Sequence, residues 1–535
     1  MAGRKLTSPS ASFSYRNLAG GLNSTASPIE LKDNESPDCL NVDFEKYGSV
    51  KKRKGTSLLN TTAFNSGAAW NSIYWYEKSD GTQKLIGTCG NKLGKMDDLD
   101  GTWDDITGAL TITAGQNNFT RWTTFLDVAY GTNGVDVPFE WSGTGNGAAM
   151  TVPSTLTTAK YIATFFNRLI LAHVTVGGTL HASRLYWSNI DAETWDSAAF
   201  RNVNTNDNQV ITGIRPLGRS LVIFKSRSIW IATYTGDPDI PFLFEDTHSP
   251  VGCISGGSIA DADNGLIFES VDGTYFFDGN NSFKMSFPVQ VTRSGFNTSR
   301  FQYTQSVYDN SRNLYLASYT ASGGTENSRQ LTYDTFLGAW STYDGIAANC
   351  WARVFVSGLE KIYFGDYDGY VHLLNDTTRN SDESTSASFI GAIYDASIWD
   401  DPDSIYAEEV NDDTAINAYY YTKWFDYEDL ISKKSVPQLN IYYQYSSGSD
   451  LTFAYSYNFE TSDQYIQSFS MSLGNAAYGT SRYGLAVYDS VGGSVERRSL
   501  TGRGYVIRFK FANMEVDQTF VIDGFGAYPY VDTDR

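Results

Sequence analysis

The stretch "KIYFGDYDGYVHLLND", residues 361–376, has runs of alternating polar and apolar residues on both sides of "DYDG". Alternation with a period of two is typical of half-buried β-strands. Asp-Gly is a preferred hairpin turn, in which both central residues take positive φ. We therefore predict a tight turn between two strands, not a metal loop or a pair of catalytic carboxylates. The chain has seven Asp-Gly pairs, and such repetition indicates turn chemistry, because catalysis needs one unique cluster.

The same unit of strand, turn and aromatic strand recurs along the chain. The units begin at Lys84, Phe125, Arg168, Ser220, Gly265, Asn313 and Lys361, between 41 and 52 residues apart. A period of ~40–50 residues built from several strands is typical of propeller blades, which cover each other's faces around an axis. We therefore predict an all-β fold with a β-propeller of about seven blades, or six if one hairpin is an insertion.

Composition supports an all-β protein and limits its partners. The 535 residues include 36 Tyr, 31 Phe, 12 Trp and 48 Gly, a mixture that suits short strands joined by glycine turns. The net charge of −20 argues against a conventional DNA-binding protein, which needs clustered Lys and Arg. Residues 395–413 carry eight carboxylates and no Lys or Arg, which predicts a solvated linker, with an acidic contact surface as the alternative.

Beyond this acidic segment the repeat stops and longer alternating strands follow, which is typical of sheets packed face to face. The predicted organisation has four parts. Residues 1–69 form an N-terminal arm and first strands, 70–378 the β-propeller, 379–410 an acidic linker or insertion, and 411–535 a β-sandwich-like domain.

Residues suited to catalysis or metal binding are scattered. The cysteines are Cys39, Cys89, Cys253 and Cys350, and the histidines are His173, His181, His248 and His372. No CxxC or HExxH spacing occurs, so we expect free buried thiols, a reducing cytoplasm during folding, and structural histidines. We predict no catalytic, cofactor-binding or metal residue, and no enzyme activity. The first residues lack an apolar signal core, and no segment is apolar enough to span a membrane.

Two binding alternatives stay open. "DYDG" and "DADNG" (261–265) are too short to supply the roughly six or seven oxygen ligands of a calcium loop. "SVDGTYFF" and "LDGTW" loosely resemble the Asp-box turn of sialidase-type propellers, but each lacks a residue of that pattern. A scattered acid pair would still allow a glycan-binding or glycan-hydrolysing propeller.

The most specific signal is "LAGGLNSTASPIELKDNESPDCLNVDFEKYGSVKKRKGTSLL", residues 18–59. It resembles the opening of bacteriophage tail nozzle and tail-hub proteins through four motifs. These are "GGLN" at 20–23, "DNE" at 33–35, "NVD" at 41–43, and a closing pattern of Gly48, Arg53 and Gly55. "RLYWSNIDAETWD", "IYFGDYDGYVHLL" and "FVIDGFGAYPY" also look like that family, so the resemblance spans nearly the whole chain. A tail-fibre docking insertion is not evident.

The resemblance implies a structural virion protein of a short-tailed phage. Such nozzle subunits form a ring, usually a hexamer, below the portal and adaptor, where they line and close the DNA ejection channel. The implied partners are further copies of the chain, adaptor and portal-proximal tail proteins, tail fibres or spikes, and viral DNA that passes without specific binding. The implied location is the virion tail, assembled in the host bacterial cytoplasm. A distal tail or baseplate propeller of a long-tailed phage is the alternative within the same class.

One basic cluster stands out from the acidic background. "KKRK", Lys51–Lys54, predicts an exposed edge strand whose charges discourage wrong pairing. Contact with a neighbouring subunit or with DNA is the alternative.

Overall fold

A computed structural model describes residues 13–153, 155–238, 240–385, 413–446, 448–471 and 494–531. These residues form mostly β-strands. The helical segments among them are short: one α-helix, Gln290–Ser294, and 3-10 helices at Phe64–Ser66, Thr205–Asp207, Phe287–Val289 and Thr298–Tyr303. Many of the strands form four-stranded antiparallel sheets, which is consistent with a multi-blade propeller.

Seven four-stranded sheets, here named I to VII, follow one another along the described chain. Sheet I contains Trp70–Glu77, Gln83–Cys89, Lys92–Asp97 and Trp103–Asp105, and sheet II contains Arg121–Phe125, Val128–Thr132, Phe139–Trp141 and Ala148–Ala149. Sheet III contains Leu156–Phe165, Arg168–Val176, Thr179–Trp187 and Phe200–Asn202, and sheet IV contains Ile211–Leu217, Ser220–Lys225, Ile229–Tyr234 and Phe242–Asp246. Sheet V contains Ala260–Ala262, Gly265–Ser270, Gly273–Phe277 and Ser282–Lys284, and sheet VI contains Gln305–Asp309, Leu314–Thr320, Asn327–Asp334 and Ala339–Asp344. Sheet VII contains Cys350–Val356, Leu359–Gly365 and Val371–Asp376, completed by Gly55–Leu58 from the N-terminal part of the chain.

The seven sheets are neighbours in sequence order, and the last one meets the first. The first strand of sheet I contacts the first strands of sheets II and VII, and similar contacts join II to III, III to IV, V to VI, and VI to VII. Sheets IV and V share an apolar cluster that contains Phe224 and Phe268. Each predicted repeat unit contributes to a different sheet, and the units from Phe125 and Gly265 lie in sheets II and V.

Two larger antiparallel sheets are built mainly from the C-terminal part of the chain. Sheet VIII contains Ser494–Ser499, Gln438–Tyr443, Val521–Ala527, Val50–Lys52 and Val42–Phe44, with Phe13–Tyr15 also paired to Val521–Ala527. Sheet IX contains Tyr465–Ser470, Asp450–Tyr457, Ile507–Asn513, Ala418–Tyr421 and Cys39–Leu40. Two short pairs accompany them: Gly21–Leu22 with Glu35–Ser36, and Lys434–Ser435 with Tyr530–Val531.

Sheets VIII and IX share one apolar core. Ile441 and Phe525 of sheet VIII pack with Phe453 and Phe509 of sheet IX, and the rings of Phe509 and Phe525 lie 5.3 Å apart. The same cluster includes Trp340 of sheet VI, so the core continues into the four-stranded sheets. Burial of this much aromatic surface supplies the main driving force for holding the two sheet systems together.

The N-terminal segment belongs to both sheet systems. Four of its strands, Phe13–Tyr15, Cys39–Leu40, Val42–Phe44 and Val50–Lys52, pair within sheets VIII and IX, and Gly55–Leu58 then completes sheet VII. The sequence assigned residues 1–69 to an N-terminal arm and first strands, and it did not reveal that these strands pair with partners hundreds of residues away. Within the acidic segment predicted at 379–410, residues 386–410 lie outside the described residues. Asp382, which precedes them, forms a β-bridge with Thr414.

Candidate functional site

The turn that opened the sequence analysis is organised by Asp366. Its Oδ1 accepts hydrogen bonds from the backbone N–H groups of Asp368 (2.9 Å) and Tyr370 (2.8 Å). Its Oδ2 lies 3.1 Å from Nε2 of His372, whose ring stacks on Phe364. Asp366 is buried, whereas Asp368 is exposed. This carboxylate therefore caps a turn between two strands of sheet VII.

The glycines of the Asp-Gly pairs carry the positive φ angles, and the aspartates do not. In five of the seven pairs the glycine φ lies between 79° and 101°, as at Gly81 and Gly369. None of the seven aspartates, all of which are described, has positive φ. The expectation that both central residues adopt positive φ was wrong. At Gly81, Gly101, Gly279 and Gly369 the hairpin loop is longer than two residues, as at 366–370, so a single left-handed glycine is enough to reverse the chain, whereas Asp523-Gly524 lies within the strand Val521–Ala527.

The cysteines and histidines are spread over the sheets. All four cysteines are buried and free, and burial raises the pKa of Cys39, Cys89 and Cys253 to about 12. His173 has a lowered pKa because it is buried, and its Nδ1 lies 3.0 Å from the carbonyl oxygen of Ile211. Within the described ranges, no group of three or more His, Cys, Asp and Glu side chains has a geometry that could hold a metal ion.

One acid pair that the sequence did not single out comes together between sheets II and III. Burial and the neighbouring Glu193 raise the pKa of Glu140 to about 7. Glu193 accepts hydrogen bonds from the Tyr130 hydroxyl (3.1 Å) and from the Thr151 backbone N–H (2.7 Å). The two glutamates lie 53 positions apart in the sequence, so no local motif could have revealed this pair.

The basic cluster Lys51–Lys54 lies where the chain leaves sheet VIII for sheet VII. Its strand, Val50–Lys52, sits between Val521–Ala527 and Val42–Phe44, so the predicted edge position was wrong. Lys52 is 1% exposed, and its Nζ donates to Oδ1 of Asn513 (2.8 Å) and to the carbonyl oxygen of Glu515 (3.2 Å). Burial and the adjacent Arg53 lower the pKa of Lys52 to about 8.

Arg53 is the centre of this junction. Its guanidinium pairs with both oxygens of Asp382, at 2.9 and 2.6 Å. Its Nε donates to Oδ1 of Asn41 (3.0 Å), and its remaining N–H groups donate to the carbonyl oxygens of Lys54 (3.0 Å) and Asp344 (3.1 Å). All five N–H donors of the side chain are thus satisfied. Burial alone would lower the pKa of Arg53, but the Asp382 carboxylate outweighs that effect and raises it.

Two residues of the "NVD" motif, Asn41 and Asp43, support the same junction. Asn41 adopts positive φ (53°), and its side-chain nitrogen donates to the carbonyl oxygen of Asn417 (2.8 Å). Asp43 pairs with Arg312 (2.8 Å) and accepts a short hydrogen bond from the hydroxyl of Tyr343. Burial and Asp43 raise the pKa of Tyr343 well above its usual value.

The motif glycines occupy positions where a side chain has no room. A Cβ at Gly55 would lie 1.8 Å from the carbonyl oxygen of Ser381, and one at Gly21, where φ is 81°, would lie 2.6 Å from the backbone nitrogen of Trp340. The segments around residues 20 and 55 therefore pack backbone against backbone with sheet VI and with the chain after sheet VII.

The junction, defined here as Asn41, Asp43, Arg53, Asp344 and Asp382 with their contacts, joins sheets VI and VII to sheets VIII and IX. It is polar, buried and fully hydrogen-bonded at Arg53, which suits mechanical coupling between two sheet systems. The motifs within residues 18–59 include Asn41, Asp43 and Arg53, the N-terminal residues of the junction. Asp382 was missed because it stands alone in a polar run and meets Arg53 only in the fold.

Comparisons with known proteins give no family. No protein-family model matches the chain, and no curated protein matches it. Among solved structures, the chain is similar to the computationally designed Ika8 protein at 9% identity, over 59% of this chain and 99% of that one, with a TM-score of 0.37. It is also similar to a chain of the mitotic checkpoint complex, at 8% identity over 60% and 96% of the two chains, with a TM-score of 0.37. PorZ, a surface component of the type-IX secretion system of Porphyromonas gingivalis, is 12% identical over 60% of this chain and 38% of its own, again with a TM-score of 0.37.

In the part of the chain that the structure describes, no helix has the length and apolar character needed to span a membrane.

Proposed function

We propose that the chain is a structural subunit of the tail nozzle of a short-tailed bacteriophage and has no enzymatic role. In this proposal sheets I to VII are the blades of a seven-bladed propeller, closed by Gly55–Leu58, and sheets VIII and IX form a β-sandwich-like domain. Several copies, six in the usual ring, surround the channel through which DNA leaves the capsid.

The observation that carries the proposal is the position of the motif residues. Asn41, Asp43, Arg53 and Gly55, which underlie the resemblance to nozzle proteins, all lie at the junction of the two sheet systems. They hold the architecture, and Asp43 also lines a cavity of about 360 Å³ with Lys51 and Arg312. Residues that a family shares for architectural reasons favour a structural protein over an enzyme.

The construction of the junction suits a subunit that must bear load. A ring that closes a pressurised channel needs subunits whose parts do not rotate against each other. Arg53 links a strand end of sheet VIII to Asp382 after sheet VII and to the end of sheet VI. Loss of this link would expose a buried charge, so rotation at the junction is disfavoured.

The distribution of charge supports a passive path for DNA. Lys52 and Arg53 are buried and engaged within the chain, and Lys51 pairs with Glu45 at 2.8 Å, so the basic cluster offers little to phosphates. Six copies would carry about −120 charges, six times the −20 of one chain. A field of this sign repels DNA and keeps it mobile in the channel.

Phage particles whose genome encodes this chain provide the test. Gold-labelled antibody against the chain, imaged by electron microscopy, should mark the single tail vertex below the portal, and quantitative mass spectrometry should give about six copies per particle. Label at the far end of a long tail would instead support a baseplate propeller. Absence of the chain from purified particles would refute a virion role, and turnover of glycans by the purified chain would favour a hydrolase.

A further inference from the structure

A cavity of about 480 Å³ lies where the first strands of the four-stranded sheets meet. Its lining includes residues from the first strands of six sheets: Tyr74 (I), Thr124 (II), Arg215 (IV), Ala260 (V), Val307 (VI) and Arg353 (VII). Because six sheets contribute the same strand, this axial cavity lies at the centre of their arrangement. It is distinct from the junction described above.

Four cations lie on the first strands of sheets II, III, IV and VII, at or near the axial cavity. Arg215 and Arg353 line it, and Arg121 and Lys160 extend from the first strands of sheets II and III. Burial and Arg215 lower the pKa of Arg121 to about 10, and burial and Arg121 lower the pKa of Lys160. These four cations are here named the axial cations. Arg121 lies close enough to Arg215 and to Lys160 for mutual repulsion, in a chain whose net charge is −20.

The axial cations, of which Arg121, Arg215 and Arg353 are half-buried and Lys160 is exposed, lack carboxylate partners. Within the described ranges, no ion pair joins any of the four to an Asp or Glu. The hydrogen bond from Arg121 to Gln305 Oε1 (3.1 Å) gives it only a neutral acceptor. Three buried cations elsewhere pair with a carboxylate: Arg53 with Asp382 (2.6 Å), Lys225 with Asp207 (2.6 Å) and Arg293 with Glu269 (3.2 Å). Three others, Lys52, Arg168 and Lys434, donate hydrogen bonds to neutral acceptors.

Two residues of the cavity lining also carry hydrogen-bond donors without a partner among the described residues. The Nε of Arg215 and the indole Nε1 of Trp75, both residues of the cavity lining, are buried and have no acceptor in the described chain. Buried donors without acceptors are costly, and both of these groups are donors only. An acceptor with negative charge would satisfy donors and cations together.

Two carboxylates limit the size of the ligand. Glu77 and Asp261 also line the cavity, but both residues are exposed, and Glu77 accepts a hydrogen bond from Gln83 (3.1 Å). Exposed acids beside the cavity repel long polyanions such as nucleic acids, whereas a small anion can pass them. Guanidinium groups match the geometry of tetrahedral oxyanions especially well.

We propose that the axial cavity binds a small oxyanion of the phosphate class, held by Arg215 and Arg353 with Arg121 behind them. This inference does not depend on the nozzle function. Its physical basis is that the bound anion supplies the negative charge that Arg215 and Arg353 receive from no carboxylate in the described ranges.

The test is binding of inorganic phosphate to the full chain. Isothermal titration calorimetry and thermal unfolding should be measured with sodium phosphate against sodium chloride at equal ionic strength. We expect a saturable heat and a saturable rise of the unfolding temperature with phosphate, following the usual linkage between binding and stability. Sulfate, which has the same geometry, should compete.

Arg215→Gln should weaken phosphate binding at least about tenfold, because it removes a charge-assisted contact. Without phosphate this variant should unfold at the same temperature as the wild type or higher, because repulsion among the axial cations is relieved. Arg201→Gln is the matched control, since it makes the same charge change at an exposed position on the last strand of sheet III and should leave binding unchanged. If Arg215→Gln does not fold, Arg353→Gln serves instead. A wild-type response equal to that in chloride, or equal binding by the Arg215→Gln and Arg201→Gln variants, would overturn the proposal.

Discussion

Substitution of Arg53 by Met tests whether the junction couples the two sheet systems. The side chain is fully buried and donates five hydrogen bonds, two of them to Asp382, whose side chain is 11% exposed. Met keeps much of the volume but leaves the Asp382 carboxylate with the backbone N–H of Thr56 (3.1 Å) and without a counter-charge. Removing one partner of a buried ion pair costs about 3–5 kcal/mol, and we expect Arg53→Met to lower the free energy of unfolding by that amount.

The assay is urea unfolding followed by tryptophan fluorescence and by far-UV circular dichroism. Divergence of the two signals would mark separate unfolding of the sheet systems. Lys51→Met is the matched control, because it removes a cation two positions earlier whose pairing with Glu45 is partly exposed. We expect that change to cost about 0–1 kcal/mol.

A double variant separates the contribution of the Arg53–Asp382 ion pair from that of side-chain packing. Arg53→Met combined with Asp382→Leu removes the unpaired carboxylate, so its cost should fall below the sum of the two single costs by about 1–3 kcal/mol. Equal costs for Arg53→Met and Lys51→Met, or strict additivity in the double variant, would refute the coupling role of the junction.

Four further outcomes are expected. Asp366→Asn should lower the free energy of unfolding by about 1–2 kcal/mol because it weakens the cap of a buried turn, whereas Asp368→Asn at the exposed neighbour should stay within about 0.5 kcal/mol, both by urea titration. Lys52 has a folded pKa of about 8, below its usual value, so the cost of burying its charge is complete below pH 8 and declines as the pH rises towards 10.5. Between pH 7.5 and pH 9.5 the free energy of unfolding of the wild type should therefore rise by about 1–2 kcal/mol relative to that of Lys52→Met. Glu140 has a folded pKa of about 7, above its usual value, so its contribution to stability falls between pH 4.5 and pH 7. Between pH 5 and pH 8 the free energy of unfolding of Glu140→Gln should rise by up to about 1 kcal/mol relative to that of the wild type, a figure reduced because the group is half exposed. Labelled duplex DNA at ~0.1 M salt should show no binding to the purified chain, and micromolar or tighter affinity would contradict the passive channel.

Local periodicity predicted the four-stranded sheets well because, apart from Gly55–Leu58 in sheet VII, each is built from strands that are neighbours in sequence. The two-residue alternation around residues 361–376 and the regular spacing of the repeat units follow from short-range pairing, which sequence patterns report directly. Pairing between strands that are distant in the sequence produces no such local pattern. Nothing in the short run Gly55–Leu58 shows that it completes sheet VII, and nothing in Val42–Phe44 shows that it joins strands from the C-terminal part of the chain.

Buried charge was the feature that sequence reasoning interpreted least well. Lys and Arg are mostly exposed in proteins, so a run of four basic residues favours a surface position. Here the identity of the partners decides the outcome: Asn513 meets Lys52, and Asp382 meets Arg53, each more than 300 positions away. The axial cations were equally difficult to predict from the sequence, because Arg121, Arg215 and Arg353 occur as single basic residues within apolar strands.

The axial cations also change how the net charge of the chain should be interpreted. If these four positive charges face the axis, the remaining surface carries about −24, four more negative charges than the −20 of the whole chain. Duplex DNA outside the propeller then meets a surface more repulsive than the composition suggests, and it is too large to enter a cavity of about 480 Å³. A small phosphate ion meets the opposite local field once it passes the exposed carboxylates. The same protein should therefore bind inorganic phosphate and reject duplex DNA under identical salt conditions. Binding of both would mean that accessible cations outside the axis dominate, whereas binding of neither would overturn the proposed anion site.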